Sequence, residues 1–418
     1  MNRSEQNPWW WVGSLYVAEG IPYVMVMVIA EMMYKRLGSS NADAAFYASW
    51  FYLPWVVMPL LHAIVFRIKK QRCFVVLLQF VSAVALAGVA YFIVNTDFVK
   101  TSLTCFWLLA FCSAVHGETA NRLYKTELDN YKQALFASVR RNFFKMSGIA
   151  GVGLTLMVAG NLEIYYGGVR RAWNETLLVV SVIVFCLALY HLFLIVFAKS
   201  AEASRSIGAS LPTVSTYVSF FKKKSIWLIV VFALLFHLPE AFLAKVSLLF
   251  MIDPIRKGGL GLTPSQIGFC SGTLGVIAFV LGGVFGGVLI RRKGLKTCIL
   301  PIAICMALPY MLYIFLARMQ PADYSLICTS VFVQQFFYGL GMTLYVVIMH
   351  HLSRGENEMS HYAVCTGLMA FGLMVPGLFA GMLQENVGYV NFFIIVLSLF
   401  LFHIVKAVSF SIYNFDCC

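Results

Sequence analysis

The sequence predicts an all-α polytopic membrane protein, with twelve transmembrane helices in two six-helix pseudo-repeats. Three observations carry this prediction. Hydrophobic residues make up 61% of the 418 and charged residues only 12%, against about 45–50% and about 25% in a soluble domain. Mean hydropathy is +0.82, so the bilayer rather than water must solvate most of the surface. The apolar residues also fall into twelve runs, each near the roughly 20 residues that a spanning helix needs.

In chain order the first six runs cover about 9–33, 44–66, 73–95, 101–121, 134–160 and 174–198. The first opens on Trp9, Trp10 and Trp11, an interfacial belt. It is too long for the apolar region of a signal peptide and has no small-residue cleavage site. Asn41–Ala42–Asp43 predicts a cap for the second helix. A polar stretch from Lys199 to Lys224 follows the sixth run, with Pro212 and the Lys222–Lys223–Lys224 run. Six further runs cover about 225–252, 264–290, 297–317, 322–350, 360–384 and 388–413. Thr263–Pro264–Ser265 predicts a cap for the eighth helix, with proline in its first turn. The expected organisation is an N-terminal bundle over 1–198, a cytoplasmic linker over 199–224 and a C-terminal bundle over 225–418.

The halves share an order of features. Glu19 with Pro22 opens one half, and Glu240 with Pro239 opens the other. A helix cap follows each acid, and a basic cluster follows each cap, at Arg67–Arg72 and Arg291–Lys296. Placing the N-terminus inside puts eighteen of the 31 Lys and Arg residues in inner loops and eight in outer ones. That bias puts both termini in the cytoplasm. The net charge of +13 is thereby a topology signal, and no nucleic-acid partner is expected. The expected partners are the lipid bilayer and a small-molecule substrate, with the chain a monomer.

The 11 cysteines are scattered, without a Cys-x-x-Cys pair or zinc-ligand spacing. No metal and no cofactor is expected. Those inside apolar runs, such as Cys105, Cys112, Cys186 and Cys305, read as small hydrophobes. Cys417–Cys418 is open to lipid modification or to no role. The glycine groups Gly148/Gly151/Gly153, Gly282/Gly283/Gly286/Gly287 and Gly377/Gly381 have the spacing of close helix crossings. None follows a strand, so none reads as a phosphate loop.

An ionisable residue at the bilayer centre costs about 2.5–3.5 kcal/mol on insertion scales, so it needs a partner or a wet cavity. Glu240 lies mid-helix, with His237 one turn before it on the same face and Pro239 freeing a backbone carbonyl. Glu and His together suit proton exchange near neutral pH; a structural kink is the competing account. Glu19 lies between Tyr16 and Tyr23, in a helix interrupted by Gly20 and Pro22. Such interruptions point to a transporter site, and the tyrosines could bind a sugar or an amide. Glu118 ends the fourth run beside His116. Arg140 and Lys145 start the fifth helix, where they could face an anionic substrate, pair with Glu118 or snorkel to the interface. Glu31 is read as interfacial.

Parallel six-helix repeats around a central linker describe the major facilitator architecture, whose site lies near the midplane. The run Gly287–Lys296 resembles the basic-glycine signature between paired helices of that superfamily. Ser14–Tyr23, Leu238–Ala241, Gly339–Thr343 and His361–Ala363 leading to Gly381 resemble the AmpG muropeptide permease family and its acetyl-CoA-transporter relatives. The likeness covers most of the chain. It implies proton-driven import of anhydro-muropeptides, cell-wall turnover fragments, across the inner membrane. The chain departs from the family at Leu61–Phe66, which replaces a Trp-Ser-Pro stretch and a following Asp. It departs again after Ser113–Ala114, where His116, Gly117, Glu118 and Asn121 stand in place of two Asp residues. His237 sits where Lys or Arg is common. The chain resembles a divergent member of the family.

Together these readings predict a secondary transporter in which Tyr16, Glu19, Tyr23, Glu118, Arg140, Lys145, His237 and Glu240 line the substrate and proton pathway. The alternatives are a non-transporting receptor that keeps the fold, or a transporter of another anionic metabolite such as acetyl-CoA. No enzyme is expected, because His116 and His350–His351 lack a recognisable catalytic partner pattern.

Overall fold

A computed structural model describes residues 7–95, 97–197, 212–223 and 226–413. Most of the linker, 198–211, therefore lies outside the described residues, as do Cys417 and Cys418. The described chain is built from α-helices. These are α1 (Pro8–Arg36), α2 (Asn41–Val56 and Met58–Arg67, bent by 47°), α3 (Gln71–Ile93), α4 (Phe98–Glu127), α5 (Tyr131–Tyr166) and α6 (Val169–Val196). Then come α7 (Ile226–Ile252), α8 (Pro264–Lys293), α9 (Leu295–Met319) and α10 (Tyr324–Ser353). The last helical stretch, Glu358–Tyr413, is 56 residues long. At 1.5 Å per residue that is about 84 Å, far beyond the roughly 30 Å of a bilayer core. It divides at Gly388, whose φ of 76° is open to glycine without strain. The result is α11 (358–387) and α12 (389–413), which with the bent α2 makes twelve candidate spans among the described residues.

Local details follow the sequence with two differences. Thr263 caps α8 in a capping box with Gln266, and Pro264 takes the first position. The cap of α2 is Ser40, whose side chain accepts from the Asp43 amide. Asn41 is thereby free to point inward. Helix α4 runs on to Glu127, so His116 and Glu118 lie in its interior rather than at its end.

The helices group by packing into two compact units. One holds the described residues of 1–30 and 60–212; the other holds 31–59 and those of 213–418. The linker marks the compositional boundary. By packing, however, the end of α1 and the first part of α2 belong with the C-terminal helices.

In the first unit, α1 and α5 cross closely. A Cβ on Gly20 would lie 1.6 Å from Ser147 Oγ, and one on Gly151 would lie 2.2 Å from Val24 Cγ2. Beside this crossing Trp11, Leu15, Tyr16, Val75, Leu123 and Phe136 form a buried apolar core. A buried polar chain ties four helices together. Gln79 of α3 bonds His116 of α4 and His191 of α6, each at 2.9 Å, and His191 bonds Ser14 of α1 at 3.0 Å. Inside a low-dielectric bundle such a network fixes one arrangement of helices.

In the second unit, Phe250, Tyr313, Tyr389 and Phe393 pack in tilted and edge-to-face contacts as an aromatic core. Asp253, just past α7, accepts from Lys35 Nζ at 2.7 Å, Tyr389 OH at 2.7 Å and Asn41 Nδ2 at 2.9 Å. Burial pushes its pKa up, but hydrogen bonds from Lys35, Tyr389 and Asn41 hold it below the usual value. A carboxylate held low stabilises the fold above its unfolded pKa of about 4 and loses that contribution as pH falls through the folded value. Asp253→Asn should therefore cost about 3 kcal/mol at neutral pH, the low end for breaking a buried pair. The gap to wild type should narrow as pH falls below about 4 and close only once folded Asp253 is protonated. Melting curves of both proteins in detergent across this range check the size and the pH dependence together.

Candidate functional site

Each unit holds one polar centre built from the predicted residues. In the first, Arg140 projects from the third turn of α5. Its guanidinium donates to Asn121 Oδ1 of α4 at 3.0 Å and to Tyr16 OH of α1 at 3.3 Å. The cation also lies 4.9 Å from the ring centre of Tyr124 and 5.6 Å from that of Tyr16, within cation–π range. Tyr16 OH bonds Asn121 Oδ1 at 3.1 Å. The cradle around Arg140 is thus aromatic and amide, and among the described residues it includes no ion-paired carboxylate. A half-buried guanidinium held this way keeps donors of its planar fork available for an anionic group.

Glu19 lies one turn beyond Tyr16 on the same helix. Its carboxylate rests on Gly117, where a Cβ would come within 2.8 Å of Oε1. Its Oε2 is buried without a hydrogen-bond partner. Its charged neighbours are Arg140 and Glu118. The site thus sets a guanidinium and an unsatisfied carboxyl against each other without a direct bond.

Glu118 pairs with His62 Nδ1 of α2 at 2.5 Å rather than with Arg140. Tyr23 packs on Phe144, with ring centres 5.8 Å apart, a turn further along α1 from the cradle. Lys145 lies half-buried on α5, five positions past Arg140.

In the second unit, Glu240 is 4% exposed. Its Oε1 accepts from Gln334 Nε2 at 3.0 Å and its Oε2 from Tyr310 OH at 3.3 Å. Helix α7 continues through Pro239 around it. No cation balances this carboxylate among the described residues, and neutral donors alone satisfy it. Such a group can hold a proton or release one without breaking an ion pair. His237 is in the same helix, but its side chain lies outside the described residues.

Sequence reasoning missed the partners. Tyr124, Tyr310 and Gln334 carry no motif, and His62 and Asn121 stand out only as departures from the family's pattern. It also placed Glu31 at the interface, whereas Glu31 is 1% exposed and meets Lys245 Nζ at 3.2 Å. The available signal was charge balance: each charge in an apolar run requires an opposite one, and Lys245 was the cation without a partner.

Comparisons with known proteins agree with this fold. The Major Facilitator Superfamily model matches residues 241–413. The anhydromuropeptide permease of Escherichia coli (strain K12) is 23% identical over 331 residues, or 78% of this chain and 63% of its own length. The chain thus spans just under two thirds of that relative. Among solved structures, a variant of the nucleoside transporter NupG superposes with a TM-score of 0.71 at 14% identity, covering 96% of this chain and 98% of its own. A proton-dependent oligopeptide transporter gives 0.68 at 16% identity, covering 96% of each chain. The spans and these likenesses together show the all-α polytopic membrane fold of major facilitator transporters, and the chain is similar, at low identity, to the anhydromuropeptide permease.

Proposed function

We propose that the protein is a secondary transporter that imports a cell-wall-derived solute such as an anhydro-muropeptide, driven by a proton gradient. The observation that carries this reading is Arg140 in its neutral cradle, with no carboxylate paired to it. A cation in an apolar region, with Glu19 near it but not bonded to it, is poised for an anionic group of the substrate. Tyr16 and Tyr124, buried beneath the guanidinium, hold Arg140 in place. Glu19 and Glu240 serve as the proton-exchanging acids, since neither is tied to a cation. Lys145, Glu118, Tyr23 and His237 complete the pathway. Movement between two access states would then expose these groups in turn. The protein acts as a monomer in the inner membrane, with both termini cytoplasmic, and it is not an enzyme.

A receptor that binds without transporting is the second reading. The observation favouring it is the His62–Glu118 pair, which occupies an acid that would otherwise exchange protons. Uptake of labelled anhydro-muropeptide into vesicles, with and without a pH gradient, separates the two. Import should accelerate when the outside is acid, and Glu240→Gln should remove that acceleration. Binding without uptake favours the receptor, and no interaction with any cell-wall fragment overturns the substrate assignment.

A further inference from the structure

A second buried ion pair lies away from both polar centres. Glu31 near the end of α1 meets Lys245 of α7 at 3.2 Å, with side-chain exposures of 2% and 6%. The pair is under-bonded. Glu31 Oε1 is buried without a hydrogen-bond partner. Of the three ammonium protons, one serves Glu31, and the ammonium also faces the Tyr52 ring at 5.4 Å. Buried pairs offset their desolvation only when geometry is good and the remaining donors and acceptors are filled. This pair meets neither condition well.

Its surroundings differ in kind from it. Beside the pair, α11 presents Gly377, where a Cβ would lie 2.4 Å from Ser49 Oγ and 3.3 Å from Lys245 Cγ. The titratable groups facing Glu31 are Lys245 from α7 and Tyr52 from α2. Along α1 the next charged residue is Lys35, which is committed to Asp253. The Asp253 cluster beyond is saturated, as the Asn41 amide also donates to Gln384 Oε1 at 2.7 Å and its backbone to Glu385 Oε1 at 2.7 Å. The segment 31–59 is thus held on α7 and α11 by a well-bonded rim and a poorly bonded centre.

We infer that Glu31 is a proton-coupling site: its protonation releases segment 31–59 from α7 and α11, and its deprotonation re-forms the clasp with Lys245. The proton adds to the Glu31 carboxylate from water that reaches it on opening, and returns to water before closure. A neutral Glu31 leaves the Lys245 ammonium buried and unpaired, which the closed arrangement cannot sustain. Opening hydrates the ammonium, so proton uptake and release of the segment occur together. This rests on the transport reading for its use, though not for its measurement.

Hydrogen exchange of the protein in nanodiscs, corrected for the chemical rate at each pH, tests it without substrate. In wild type, above about pH 5 where Asp253 stays ionised, opening of the amides of 38–52 should rise by up to about tenfold per pH unit on acidification, the slope of one linked proton. Glu31→Gln should be loosened at every pH and lose the slope. Glu31→Lys combined with Lys245→Glu should restore protection, which separates loss of the clasp from misfolding. Asp253→Asn should loosen the segment and keep the slope. A flat wild-type profile, or a slope that survives in Glu31→Gln, overturns the assignment. Failed uptake with an intact slope removes the transport reading and leaves the clasp standing.

Discussion

Gly282→Ala and Gly339→Ala should each lower the stability of the protein by about 3 kcal/mol, the upper part of the range for overpacking. The two glycines form a reciprocal notch. A Cβ on Gly282 of α8 would lie 1.9 Å from the Phe336 carbonyl oxygen of α10, and one on Gly339 of α10 would lie 2.1 Å from that of Phe279 of α8. Both obstacles are backbone atoms, which cannot swing aside as a side chain can. Thr343 Oγ1 donates across the same contact to Gly283 O at 3.2 Å, and separation of the helices would lengthen that bond as well. Within a membrane, packing rather than a hydrophobic drive holds helices together, so lost contact is not recovered elsewhere. The double variant should cost less than the sum, because the first methyl already parts the helices. Thermal melting in detergent reads all three values, and full additivity would mean that the two sites do not share one interface.

Arg140→Gln should reduce uptake of an anionic substrate by roughly 10- to 150-fold while changing stability little. The range follows from the 1.5–3 kcal/mol of a charge-assisted hydrogen bond, at tenfold per 1.4 kcal/mol. Stability should hold because Tyr16 and Asn121 bond each other at 3.1 Å without the arginine, so neither is left buried and unpaired. Arg140→Lys should recover only part of the activity. It keeps the charge but not the fork that spans Asn121, Tyr16 and an incoming anion. Initial uptake rates in vesicles, beside melting curves of the same variants, check both statements. Unchanged uptake in Arg140→Gln would remove this residue from substrate binding.

The spans were readable because hydropathy over twenty residues is a sum in which single errors cancel. The Thr263 cap and the glycine crossings at Gly151, Gly282 and Gly377 were readable because each depends on local chemistry. Gly287 shares the spacing yet has no close neighbour, since spacing does not say which face meets a helix. The site was legible as charges in apolar runs, but not as partnerships. Nothing near Glu118 in sequence points to His62, and nothing near Glu240 points to Gln334, because these contacts join distant helices. Glu31 was misplaced for the same reason. Its depth follows from Lys245, more than two hundred positions away.

The clasp has a consequence for synthesis of the chain. Glu31, Lys35 and Asn41 are made early, whereas Glu385 lies 344 residues beyond Asn41. At about 5–20 residues per second, translation of that interval takes roughly 20–70 s. During that time Asn41 waits in or beside the bilayer for its last partners, while Glu31 and Lys35 wait only until Lys245 and Asp253 are made. The nascent first hairpin must remain near water, or be shielded by the insertion machinery, until the last helices arrive. A truncation after α10 would thus leave Asn41, at the front of the protein, without Gln384, Glu385 and Tyr389, while Glu31 and Lys35 keep Lys245 and Asp253.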